Sequence, residues 1–144
     1  MRGSLNERAD TTVIALPGSP DSIGAAREHV REFLLGADPA LPATTARDVL
    51  LAVSEMVTNA VRYAPGECAL EISLDERRVC IHVTDTSSTV PEIRPGMFDG
   101  SGGFGLHLLR ALAGEVETVR HAGGKTVSVC LDRAPRPSDQ ATCA

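Results

Sequence analysis

The 144-residue chain has no tryptophan, one tyrosine and three phenylalanines, so aromatics make up only 3% of it. A core short of rings must be filled by Leu, Val, Ile and Ala. The chain also lacks a basic excess: 14 Lys and Arg face 19 Asp and Glu, for a net charge of -5. Gripping nucleic acid by bulk charge normally needs a basic stripe, so direct nucleic-acid binding is not expected. No apolar run approaches the ~20 residues that a membrane span requires. The polar opening segment carries no signal-peptide core. These absences lead to the expectation of a cytoplasmic chain with no membrane contact. The four cysteines (Cys68, Cys80, Cys130, Cys143) form no CxxC pair. Zinc sites usually show tight ligand spacing, so none is expected. A cytoplasmic compartment favours free thiols for all four. His29, His82, His107 and His121 are scattered without ligand spacing.

What is present fits one domain, which at this length buries roughly 70% of its unfolded surface. Residues 1–11 and 134–144 are polar or proline-bearing and read as disordered ends. That leaves 12–133 as the folded unit. Residues 12–16 (Thr-Val-Ile-Ala-Leu) predict a short strand ended by Pro17-Gly18. Ser19-Pro20 offers an N-cap with proline at N1. Ile23, Ala26, Val30, Phe33 and Leu34 then recur at helical spacing, and Gly36 stops the pattern. A second helix is predicted from about Thr44 to Tyr63. Cys68, Leu70, Ile72 and Leu74 share one strand face. Val79, Ile81 and Val83 share another, and Asp85 falls on that apolar side by parity. A turn at 75–78 joins these two strands. Residues 86–103 form a long polar stretch with two prolines and four glycines. Segments of that length inside a domain are often lids or binding loops. A short helix at 104–113 and strands at 116–120 and 127–131 complete the order β-α-α-β-β-loop-α-β-β. Strands and helices do not alternate one for one. The fold class expected is α+β: a two-layer sandwich with a mixed, mostly antiparallel sheet and helices on one face.

Three constellations carry chemistry. On a wheel of ~100° per residue with Glu55 at the origin, Val49, Leu50, Val53, Met56, Val57, Ala60, Val61 and Ala64 fill an arc from about 100° to 240°. Asp48, Glu55, Asn59 and Arg62 form a polar stripe opposite it. A solvated face explains that stripe on geometry alone. Yet a carboxylate and a carboxamide one turn apart suit a divalent cation with phosphate, and the carboxylate can deprotonate a hydroxyl. Asp85 is the second oddity, because buried carboxylates are rare unless paired. It is a strand-end residue turned to solvent or capping the following loop, or it accepts from a donor on a ligand, such as an exocyclic amine. The third is Gly100-Ser101-Gly102-Gly103-Phe104-Gly105, leading into a helix. It reads as a flexible loop or as a phosphate cradle of backbone amides, a site an acidic protein can build. Two familiar phosphate motifs are rejected. Gly100, Gly102 and Gly105 satisfy G-x-G-x-x-G, but no strand directly precedes them. Gly124-Lys125-Thr126 ends like a Walker A loop, but Val119 stands where its first glycine belongs.

In order and spacing, these segments resemble the GHKL (Bergerat-fold) ATPases, in the branch of bacterial anti-sigma-factor serine/threonine kinases. The run 55–64 (Glu-Met-Val-Thr-Asn-Ala-Val-Arg-Tyr-Ala) is similar to their N-box helix. Val83-Thr84-Asp85-Thr86-Ser87 resembles the first glycine box, and Gly102-Gly103-Phe104-Gly105-Leu106 the second. Gly124-Lys125-Thr126-Val127 is similar to the last-strand motif. The resemblance covers about 13–131. It implies a nucleotide between helices and sheet, with ATP and Mg²⁺ as ligands. Glu55 would be the general base or orient the hydroxyl, and Asn59 would hold Mg²⁺. Asp85 would accept from the adenine amine. Arg62, Gly102, Gly103, Gly105, Leu106 and Thr126 complete the implied nucleotide site, with 86–102 as its lid. The implied partners are an RNA polymerase sigma factor and a STAS-type anti-sigma-factor antagonist, and the implied assembly includes a homodimer. The implied activity is phosphoryl transfer from ATP to a serine or threonine of the antagonist. Two departures stand out. Ser87 replaces the glycine of the first box, which motivates the alternative of a non-catalytic, ATP-dependent interaction module. Lys125 takes the place usual for threonine, and strand parity turns Lys125, not Thr126, toward the core. A detached histidine-kinase domain ranks last, for want of a helical hairpin with a phosphoacceptor histidine.

Overall fold

A computed structural model of the protein describes residues 10–63, 66–86, 109–112 and 116–134. In chain order these form β1 (Asp10–Leu16), α1 (Asp21–Leu35), α2 (Ala43–Tyr63), β2 (Cys68–Leu74), β3 (Arg78–Asp85), β4 (Glu117–His121) and β5 (Gly124–Asp132). Of the helix expected at 104–113, residues 109–112 are described and helical. The strands build one sheet in the order β1-β2-β3-β5-β4. Every described pairing is antiparallel. The fold is α+β, with helices covering one face of an antiparallel sheet.

Strand alternation produces the two faces. Leu70, Ile72 and Leu74 of β2, Val79, Ile81 and Val83 of β3, and Val129 and Leu131 of β5 point inward and are buried. They meet Ala26, Val30 and Leu34 of α1 and Val49, Val53, Met56, Val57 and Ala60 of α2 in a single cluster. The apolar arc predicted for α2 is thus the buried one, with Leu50 and Val61 at its edge. Ala64 lies outside the described residues. The burial of Ala52 and Thr45 widens the arc toward Asn59. A small side chain at 52 gives little periodic signal, yet it lets the helix backbone approach its neighbours.

Two local expectations change. Helix α1 begins at Asp21 with Pro20 in the cap position and no side-chain cap bond. Ser22 braces the preceding turn instead: it is fully buried and accepts the Gly18 N–H at 3.0 Å, while the Ser19 carbonyl accepts the Ser22 N–H. The cysteines do not all remain thiols. Cys80 and Cys130 form a disulfide, and Cys68 is a buried free thiol. The cause is register: Cys80 of β3 lies directly opposite Cys130 of β5, with Cα atoms 4.1 Å apart. Residues 50 apart in sequence carry no sign of that pairing. Cys143 lies outside the described residues.

Candidate functional site

The end of the sheet nearest the polar loop carries a row of residues set by register. Leu16 faces Cys68, and continuing the β2–β3 register by one residue sets Cys68 beside Asp85. Asp85 faces Lys125, and Lys125 faces Arg120. Asp85 keeps the inward parity of Val79, Ile81 and Val83, so its carboxylate enters the core side and is only 4% exposed. Lys125 is 3% exposed. Its Nζ donates to both carboxylate oxygens, at 3.1 and 2.9 Å. Two buried charges are tolerated because each meets the other with good geometry. The negative charge reaches across the sheet. Burial first, and then Asp85, push the Cys68 thiol above its ordinary range.

Glycine permits the close approaches around this pair. A Cβ on Gly124 would stand 1.8 Å from the Asp85 carbonyl oxygen, so only glycine fits where β5 begins. Gly18, at φ +85°, would place a Cβ 1.9 Å from the Gly66 carbonyl oxygen. Positive φ with no room for a side chain makes glycine the only unstrained residue there. The β1–α1 turn, the start of β2 and the end of β3 therefore meet at one rim.

Helix α2 packs over β3 and β5. Along its polar stripe Asp48, Glu55 and Asn59 are half-buried, while Arg62 is exposed in the last turn. The neighbouring hydroxyls are engaged within the helix: Ser54 Oγ donates to the Leu50 carbonyl and Thr58 Oγ1 to that of Ser54. Glu55 and Asn59 remain as the side chains that can offer a carboxylate and an amide oxygen from one helical face. Thr126 lies on the sheet's other face. It bonds Thr84 Oγ1 at 2.8 Å and His121 Nε2 at 3.2 Å. Gly102, Gly103, Gly105, Leu106 and Ser87 lie outside the described residues. His29 and His82 bond Thr12 and Ser128. Among the described residues no cluster of His, Cys, Asp or Glu is spaced to hold a metal ion by itself. A cation here would have to share its shell with a ligand. The site residue that motif reasoning passed over is Lys125. Its signal was strand parity together with the glycine before it.

Comparison with known proteins gives the same frame. Residues 16–131 match the model of the histidine kinase-like ATPase domain. No curated protein matches the chain. Among solved structures, the RsbU and RsbW domains of Rv1364c from Mycobacterium tuberculosis align with a TM-score of 0.64 and 23% identity. The alignment covers 88% of this chain and 33% of that one, so the chain spans about a third of that protein's length. The histidine kinase domain of the blue-light activated kinase from Erythrobacter litoralis EL346 aligns at 20% identity and a TM-score of 0.47, over 88% of this chain and 64% of that one. At these identities the likeness to the first is one of fold, and the family rests on the domain match over most of the chain: the protein belongs to the histidine kinase-like ATPase domain family.

Proposed function

We propose that the protein binds ATP with Mg²⁺ and acts as an anti-sigma-factor-like regulator with serine/threonine kinase activity. Its substrate is a serine or threonine hydroxyl on a small STAS-type antagonist, and its sequestered partner is a sigma factor. The observation that carries this reading is Asp85, a buried, charge-compensated carboxylate at the end of a strand. Such a group is costly to bury and suits recognition of a hydrogen-bond donor on a ligand. Adenine offers that donor in its exocyclic amine. A net charge of -5 is compatible with a polyphosphate when the phosphates are met by a cation and by main-chain amides of the glycine cluster that follows.

The residues on α2 fit the cation. The neutral amide oxygen of Asn59 is a hard donor that Mg²⁺ accepts while it keeps water and phosphate in its shell. When bound, the ion neutralises phosphate charge. Glu55 takes the proton of the attacking hydroxyl, or orients it, as the γ-phosphoryl passes to that oxygen and its bond to the bridging oxygen breaks, releasing ADP. Arg62, and the backbone of Gly102, Gly103, Gly105 and Leu106, are assigned to the phosphates. Thr126 belongs to this set through its main chain only, because its hydroxyl is engaged on the outer face with Thr84 and His121. The motif resemblance along 13–131 supports the anti-sigma branch.

The test is phosphotransfer from γ-labelled ATP to a purified antagonist. Wild type should label the antagonist, and Glu55→Ala should label it at least ~100-fold more slowly. ATP binding without transfer would leave a non-catalytic, nucleotide-dependent interaction module. Equal rates in wild type and Glu55→Ala would exclude Glu55 as the base.

A further inference from the structure

Lys125 has no role in the activity proposed above, yet it is as deeply buried as Asp85 and is bonded to both of its oxygens. We propose that Lys125 is a positioning residue for base selectivity, keeping Asp85 ionised and therefore an acceptor only. The inference rests on the reading of Asp85 as the group that meets the base.

A carboxylate removed from water without a countercharge takes up a proton instead of remaining ionised. A protonated carboxyl group is both donor and acceptor; an ionised one only accepts. The two states choose different ligands. An acceptor-only Asp85 favours a base bearing an exocyclic amine and disfavours one presenting a carbonyl oxygen at that place. A neutral Asp85 serves either. The ammonium of Lys125, at 2.9 and 3.1 Å, supplies the countercharge.

The local chain is built for this contact. Lys125 is the cross-strand neighbour of Asp85. Gly124 lets the start of β5 close onto the Asp85 main chain. A hydroxyl side chain at 125 would supply a hydrogen bond but no charge. Lysine at this position therefore changes what Asp85 can recognise as well as how β3 is held to β5.

The experiment is calorimetric titration of the full chain with Mg-ATP and with Mg-ITP, whose base carries a 6-oxo group in place of the amine. Wild type should prefer ATP by a factor on the order of tenfold to a hundredfold, the range for a hydrogen bond to a charged group. Asp85→Asn, with both a donor and an acceptor, should bring the two affinities within about threefold. Lys125→Met should do the same, and adding it to Asp85→Asn should change the ratio no further. Lys125→Thr serves as a second neutral variant, should the methionine variant fail to melt cooperatively. Lys125→Arg, which keeps the charge, should restore at least part of the preference. Retention of the wild-type ratio in Lys125→Met or Lys125→Thr overturns the proposal, including the case where both affinities fall by the same factor. In that case Asp85 still discriminates and its assignment stands. A wild type without preference overturns the assignment of Asp85 to the base, and the proposal with it.

Discussion

Asp85 and Lys125 show how a single residue choice depends on a partner far away in sequence. Each is nearly sealed from water, and each meets the other's charge at hydrogen-bond distance. Removing one partner strands a buried charge. Asp85→Ala should therefore lower unfolding stability by about 3–5 kcal/mol in urea titrations. Replacing both residues with apolar ones of similar size should recover most of that loss. Cys68 provides a second test at this scale. Its thiol is buried, and burial and the nearby Asp85 charge hold it above its usual range, disfavouring the reactive thiolate. Iodoacetamide at pH 8 should leave Cys68 unmodified in the native protein and label it fully in denaturant, as read by mass spectrometry. Rapid native labelling would contradict this burial.

At the scale of elements, the Asp75 side chain braces the β2–β3 connection, beside the Arg133 guanidinium that donates to the Asp75 carbonyl. Asp75 Oδ1 accepts the backbone N–H groups of Arg77 and Arg78, both at 2.7 Å, and these bonds hold its carboxyl below the ordinary value of 3.8. A lowered folded-state value stabilises the fold above the ordinary carboxylate range, and the contribution is lost as pH falls through the depressed value. Asp75→Ala should cost about 1 kcal/mol at neutral pH. The difference in Tm from wild type should shrink as the pH is taken from 6 toward 2. The β3–β5 pair is further tied by the Cys80–Cys130 disulfide, which closes a long loop. Reduction, or Cys80→Ser, should lower stability by about 2–4 kcal/mol. These two elements mark what could be read from the chain. The inward faces of β2 and β3, the apolar arc of α2 and the turn at 75–78 follow from periodicity and turn chemistry, which are local. Parity also turned both Asp85 and Lys125 inward. Their meeting, and that of Cys80 with Cys130, depend on β5 inserting between β3 and β4 in one register. That choice joins residues 40 to 50 positions apart and leaves no local trace. The loss of the expected Ser19 cap has a similar origin: whether Ser19 or Ser22 serves the turn is decided by the fold of the β1–α1 connection.

At the scale of the molecule, among the described residues one sheet face meets α1 and α2, with Leu109 of the helical 109–112 segment in the same core, and the other carries a polar ladder. Along that outer face His82 bonds Ser128, and Thr84 bonds Thr126. Glu55, Asn59 and Asp85, which the proposal assigns to the nucleotide, lie on the helix-covered side, on α2 and at the end of β3. The scarcity of aromatics fits a base held by a carboxylate and aliphatic walls, without ring stacking. The acidic balance fits phosphates met by a cation and by main-chain amides. The most direct test is calorimetric titration of the full chain with ATP, in the presence and absence of Mg²⁺. Saturable binding that is strengthened by Mg²⁺, with Asn59→Ala losing the Mg²⁺-dependent part and Asp85→Asn the preference for adenine, is the predicted result. A protein with the native circular-dichroism spectrum and no binding of Mg-ATP would contradict the account.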